Sequence, residues 1–177
     1  MQALIYLVDA IAGFFTLLLL LRFFMQLNRV SFGNQIGTFV VQLTNSAVKP
    51  LRRVVPGLGG LDLASLLPAW LLQCVLVLAV FLLRGSPATV DQGTLALLVL
   101  WHGLLGTLRV AIWVFIGALF LQAVLSWVNP HSPLGYPVMQ LTRPILQPIQ
   151  RFLPPIANID LSPLLAIVLL QMLLLLL

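Results

Sequence analysis

The chain contains no glutamate; aspartate occurs only at Asp9, Asp62, Asp91 and Asp160, and charged residues make up 7% of its 177 residues. A soluble domain carries roughly 25% charged residues. So little charge cannot cover a water-facing surface, and a bilayer is the solvent that this composition fits. The two histidines, His102 and His131, lie in different segments, and no spacing sets an aspartate to orient either as a base. Acid–base and nucleophilic catalysis therefore have no constellation here, and we expect neither an enzyme nor a cofactor or metal site. The single cysteine, Cys74, lies in an apolar run. It excludes an intrachain disulfide and reads as a small apolar filler. A basic stretch ahead of the first apolar core is also missing. Asp9 precedes that core and Arg22 follows it, so the N-terminal segment reads as an uncleaved first span.

What the chain does hold is apolar and basic. Hydrophobic residues reach 61%, mean hydropathy is +1.12, and nine Lys and Arg leave a net charge of +5. In a chain with no solvated basic surface, that excess is an orientation signal and a headgroup contact; nucleic acid is not an expected partner.

Two stretches nearly copy each other. Gln42, Leu43, Thr44, Pro50, Arg53, Pro56, Asp62, Leu63 and Gln73 recur in order as Gln140, Leu141, Thr142, Pro148, Arg151, Pro154, Asp160, Leu161 and Gln171. The register is constant at about 98 residues, which marks an internal repeat. Farther upstream, Leu21 and Arg22 match Leu121 and Gln122 at an offset of about 100 residues, and Asp9 then falls on Arg109.

The pattern predicts an all-α membrane protein. The first span runs from about Ala10 to Leu27. Ile36, Phe39, Val40, Leu43, Ala47 and Val48 then recur at helical spacing opposite polar residues. They predict an amphipathic helix of about three turns, ended by Pro50 and Pro56 and turned back at Gly57–Gly60. Asp62 caps a second span, Leu63–Leu83. Residues 94–128 are too long for one perpendicular helix. They are expected to divide into a third span, Val110–Val128, and an apolar helix over 94–106 that is interfacial, re-entrant or a tilted extension. A proline-rich connection follows, and Asp160 opens a fourth span to Leu177. The layout is a first repeat over 1–84, a connecting loop over 85–93 and a second repeat over 94–177. With two spans in each, the repeats are parallel. Arg29, Lys49, Arg52, Arg53, Arg143 and Arg151 lie on the two long connections, so those connections are expected in the cytoplasm and both termini outside.

Leu125-Ser-Trp-Val, Leu141-Thr-Arg-Pro-Ile-Leu-Gln-Pro-Ile-Gln-Arg-Phe-Leu-Pro and Ile159-Asp-Leu-Ser-Pro, with Lys49-Pro-Leu-Arg-Arg-Val-Val-Pro and Gly60-Leu-Asp-Leu-Ala-Ser in the first copy, resemble the YggT family of bacterial and plastid integral membrane proteins. The likeness covers both repeats. It departs at Gln150, where the motif often has a second Arg, and at Asn45-Ser46, which replace a proline-bearing pair. The resemblance implies a bacterial inner membrane location. It links the chain to osmotic tolerance and cation balance, to cell-division or envelope organisation, or, as in plastids, to haem attachment during assembly of a membrane cytochrome.

Three groups of residues stand out. Lys49, Arg52, Arg53, Arg143 and Arg151 would grip anionic lipid or an envelope protein partner, or serve only to orient the chain. Thr44, Pro50, Pro56, Asp62 and their copies Thr142, Pro148, Pro154 and Asp160 form a structural motif, in which we expect Arg53 to pair with Asp62 and Arg151 with Asp160. Asp9, Arg22, His102 and Arg109 are polar groups within the apolar runs. His102, Gly106, Arg109 and Trp113 share one helical face, a candidate ion path in a homo-oligomer; alternatively Asp9 and Arg109 snorkel to headgroups. The leading expectation is a non-enzymatic scaffold of the envelope. The alternatives are a small oligomeric transport or ion-homeostasis component and a cytochrome assembly factor.

Overall fold

A backbone in hydrocarbon must satisfy its own hydrogen bonds, and runs of Leu, Ala, Phe and Val do so as helix, even where Pro68 falls inside one of them. The computed structural model describes residues 2–55, 61–84, 91–129, 132–152 and 160–177. These form six helices and, among the described residues, no sheet: α1 Gln2–Leu27, α2 Gln35–Leu51, α3 Leu63–Arg84, α4 Gln92–Val128, α5 Gly135–Phe152 and α6 Ser162–Leu176. α1, α3 and α4 are long and apolar enough to cross a membrane. α6 is equally apolar but has 15 residues, about 22 Å of helix against a hydrocarbon core of about 30 Å.

Three expectations change. α1 begins at Gln2 rather than near Ala10, because nothing between those positions breaks a helix, so Asp9 is an exposed residue within it. Of the three readings of residues 94–106 the extension holds, and the separate helix does not: α4 is one helix of 37 residues, so 94–106 continues the third apolar helix. Length alone argued for a break, but no proline lies between Gln92 and Val128 to enforce one. Prolines do not end the amphipathic helices either. Pro50 lies inside the last turn of α2, and Pro144 and Pro148 lie inside α5. All three are exposed, on faces where the carbonyls they leave unpaired can find other partners. Pro56, Gly57–Gly60, Pro154, His131 and the connection 85–90 lie outside the described residues.

α4 packs against α3, α6, α5 and α1, and α1 against α3, α2 and α4. One apolar cluster, Leu19, Leu20, Val48, Ala64, Ala69 and Val114, joins the first four helices. Another, Leu119, Leu146 and Ala166, joins α4, α5 and α6. α2 is turned from its expected setting. Its buried stripe is Gly37, Val40, Thr44 and Val48, whereas Phe39 and Leu43 are exposed. The apolar face read from the sequence is thus shared between the protein and its surroundings. α1 ends in a Schellman turn, with Val30 N–H donating to the Met25 carbonyl at 2.8 Å and Arg29 N–H to that of Gln26 at 3.1 Å. Arg29 holds the left-handed position, φ 54, where glycine is usual. Gln140 of α5 donates to the carbonyls of Asn28 and Arg29 at 3.2 and 3.1 Å, joining the second half of the chain to the first.

α3 and α4 meet on Gly103 and Gly106, in the manner of small residues at membrane helix contacts. A Cβ at Gly103 would stand 2.4 Å from Cys74 Sγ, and one at Gly106 would stand 2.6 Å from Gln73 Oε1. Gln73 in turn donates to Thr16 of α1 at 3.0 Å. Gly103→Ala should therefore destabilise the chain in detergent by about 1–3 kcal/mol. Adding Cys74→Ala should recover part of that loss in the melting temperature. Equal stability of Gly103→Ala and the parent would show that α3 and α4 are not packed this closely.

Candidate functional site

At the end of the bundle that carries the basic connections, buried polar groups tie each amphipathic helix to its neighbours. The stripe of α2 brings Thr44, 2% exposed, against Arg22 of α1, 5% exposed. Arg22 Nη1 donates to Thr44 Oγ1 at 2.7 Å and to Asn45 Oδ1 at 3.1 Å. The Thr44 hydroxyl itself donates to the Val40 carbonyl at 2.6 Å. Arg22 Nε is buried and meets no partner among the described residues. The guanidinium is therefore held from one side, and it stays charged because arginine does not deprotonate in proteins.

Asp62 stands at the mouth of α3 and is 4% exposed. Its main-chain carbonyl accepts from the N–H groups of Ser65 and Leu66 at 3.0 and 3.1 Å, as a capping residue's does. Its carboxylate accepts from Ser65 Oγ and from Arg52 Nη2, both at 2.7 Å. Arg52 Nη2 also donates to Gln26 of α1 at 2.8 Å. One guanidinium thus joins α1, the end of α2 and the start of α3.

This corrects the expected pairing. Arg52, not Arg53, reaches Asp62, and Arg53 is exposed. Successive positions in a helical turn project about 100° apart, so only one of two adjacent arginines can turn back over α3. In the second half the expected Arg151–Asp160 pair is also replaced. Arg151 is exposed, and Gln150 Nε2 donates to Asp160 Oδ2 at 2.8 Å. Gln150 is the residue that departs from the family pattern, and it follows Arg52 by the same register of about 98 residues. Asp160 Oδ1 accepts from Ser162 N–H at 2.9 Å. Thr142 bonds to Gln122 of α4, which occupies the place of Arg22. Burial pushes the Asp160 carboxyl up, but the bonds from Ser162 and Gln150 outweigh it and hold it below the ordinary carboxylate value.

The other basic candidates, Lys49, Arg143 and Arg151, are exposed at this end together with Arg53, as are Pro50 and Pro148. At the opposite end, His102, Gly106, Arg109 and Trp113 do share a face. With Asp9 and Gln73 they line a cleft of about 620 Å³ between α1, α3 and α4. His102 Nδ1 lies 2.8 Å from the Leu98 carbonyl, and Arg109 Nη2 donates to the Leu177 carbonyl at 2.6 Å. Among the described residues, no three His, Cys, Asp or Glu gather to hold a metal ion. Sequence reasoning missed Gln26, Asn45, Ser65 and the pairing of Gln122 with Thr142. The offset that aligns Arg22 with Gln122 was the signal for the last of these.

Comparison with known proteins matches this sequence to a family. The family model CCB3/YggT matches residues 1–83 and 101–177. The uncharacterized protein PA0392 of Pseudomonas aeruginosa is 36% identical over 172 residues, 96% of this chain and 85% of that protein. The uncharacterized protein YggT of Escherichia coli K12 is 36% identical over 171 residues, with 96% and 86% covered. An uncharacterized protein from the proC 3' region of Vibrio alginolyticus is 34% identical over 172 residues, with 97% and 91% covered. No solved structure matches significantly.

Arg52→Ala should destabilise the chain by about 1–3 kcal/mol, because it strands a buried carboxylate, while Arg53→Ala should change stability by less than about 0.5 kcal/mol. Arg52→Gln, which rebuilds the second clasp in the first position, should fall between them. Thermal unfolding in one detergent measures all three, and equal losses at 52 and 53 would refute the geometry. The sign of the pH effect at Asp160 follows from its lowered value. Its contribution is complete above the unfolded carboxylate pKa of about 3.9 and is lost as pH falls through the folded value. Gln150→Ala should reduce that acid dependence.

Proposed function

The chain belongs to the CCB3/YggT family, and on that premise we propose that it is a non-enzymatic interaction protein of the bacterial inner membrane. In this reading α1, α3, α4 and α6 are four spans in two parallel repeats. α2 and α5 lie on the cytoplasmic leaflet and present basic side chains to anionic lipid or to another envelope protein. The observation that carries the proposal is a division of labour among the basic residues. Arg22 and the half-exposed Arg52 hold helices together, whereas Lys49, Arg53, Arg143 and Arg151 are exposed at the same end and make no ion pair among the described residues. Exposed apolar residues adjoin them: Phe39 at 51% and Val54 at 78%. A basic and apolar face on a helix held parallel to the surface suits the headgroup region, where each basic residue contributes on the order of 1 kcal/mol toward an anionic leaflet. A second reading, a small oligomeric component of ion or osmotic homeostasis, draws its support from the polar cleft around Arg109.

Two measurements bear on the leading reading. On a Cys74→Ser background, cysteines at Ser31 and Ser132 should react with impermeant probes in inverted vesicles and not in intact cells; labelling from outside reverses the orientation. Capture in mild detergent should retain an envelope protein that the double variant Arg53→Gln/Arg151→Gln loses without a change in melting temperature. Retention by the double variant would remove the basic face from the account. Ion flux in liposomes without a captured partner would favour the second reading.

A further inference from the structure

Two cavities lie end to end along α1 and α4, and Trp113 lines both. Toward the basic end, a space of about 290 Å³ is walled by apolar groups that include Leu17, Leu21, Gly117, Leu121 and Leu141. Toward the other end lies the cleft of about 620 Å³ that holds Asp9, Gln73, His102 and Arg109. Gly13 lines the polar cleft and Gly117 the apolar space. A Cβ added at Gly13 or at Gly117 meets no atom within 4 Å. From Arg109 to Leu121 the helical rise is about 18 Å, close to one leaflet of a hydrocarbon core about 30 Å thick.

The charges in the cleft have a pattern of their own. Asp9 and Arg109 open on the same space and do not pair; among the described residues, Arg52–Asp62 is the one ion pair. Arg109 gives one donor to Leu177, and a guanidinium has five. Opposite charges held apart at membrane depth are costly, and a ligand carrying both signs offsets both. A single inorganic ion matches one of them and leaves the apolar cavity unused. An anionic lipid without an amine leaves Asp9 unmatched.

We propose that the α1–α4 groove binds one zwitterionic phospholipid, its phosphate on Arg109 beside His102, its ammonium on Asp9, and one acyl chain running past Trp113 into the apolar cavity. The headgroup part of the site lies at the end opposite the basic side chains, although Ile36 of α2 and Leu141 of α5 help to wall the apolar cavity, so the preference between headgroups is read separately from contact of those basic side chains with anionic lipid.

The test uses the full chain in mild detergent, with phosphatidylethanolamine and phosphatidylglycerol as probes and melting temperature and native mass spectrometry as readouts. Phosphatidylethanolamine should stabilise the parent at roughly tenfold lower concentration than phosphatidylglycerol, and one molecule should bind per chain. Asp9→Asn should erase that preference. Gly117→Leu, which grows into open space, should weaken binding of phosphatidylethanolamine while leaving the lipid-free melting temperature unchanged. Gly13→Leu provides a second obstruction from the facing helix should the first variant not fold. Equal stabilisation by both lipids in the parent, a preference that survives Asp9→Asn, or unweakened binding in the folded obstructed chain would each overturn the proposal.

Discussion

A carboxylate 4% exposed at the mouth of an apolar helix has to be matched, and much of the packing at the basic end follows from matching it. Asp62 cannot rely on water. Its oxygen takes Ser65 from its own helix and Arg52 from the end of α2. Because Arg52 is also held by Gln26 of α1, the bond that satisfies Asp62 fixes α2 against both α1 and α3. The pair is unequal: side-chain exposure is 45% for Arg52 and 5% for Asp62. Losing the arginine therefore leaves the more deeply buried partner stranded. That asymmetry, more than the attraction itself, makes the contact matter.

The second half solves the same problem with less charge. Gln150 and Gln122 stand where Arg52 and Arg22 stand in the first, so two guanidinium clasps become two amide clasps. An amide cannot satisfy a fully buried carboxylate as strongly as a guanidinium. Asp160 is accordingly less buried than Asp62 and adds a main-chain bond from Ser162. Burial and partner strength change together, as desolvation requires. A repeat that compared residue types alone would score Arg and Gln as mismatches, but Gln150 and Arg52 are both donors toward the aspartate oxygen, whereas Gln122 reverses the first bond and accepts from the Thr142 hydroxyl.

The long apolar runs and the amphipathic stretches were legible in the sequence because their periods are simple. So was the importance of Thr44, Asp62 and their copies, through register. The partner of Asp62 was not. Arg52 and Arg53 are adjacent and identical, and choosing between them requires the azimuth of the chain after Pro50, which no local pattern encodes. The continuity of α4 was only one alternative among three for a different reason. A thickness argument treats the helix as perpendicular, whereas the positions that decide its course are Gly103 and Gly106, set by their contact with α3. The rotation of α2 was hidden in the same way. Phe39 and Leu43 are as apolar as Val40 and Val48, and only the Arg22–Thr44 bond picks the face that turns inward.

The two ends of the bundle are built on opposite principles. At the basic end, Arg22, Arg52 and Gln150 make interhelical bonds, and the apolar clusters around Val48 and Leu146 fill the space beneath them. At the other end, His102 and Arg109 bond to main-chain carbonyls, and the cleft between α1, α3 and α4 stays open beside Gly13. Packing tied by interhelical polar bonds resists rearrangement, whereas an open cleft is stabilised by whatever binds in it. Asp9 and Arg109 are exposed members of apolar helices, where ionisable groups are costly. Their cost is local to the cleft, and so is whatever offsets it.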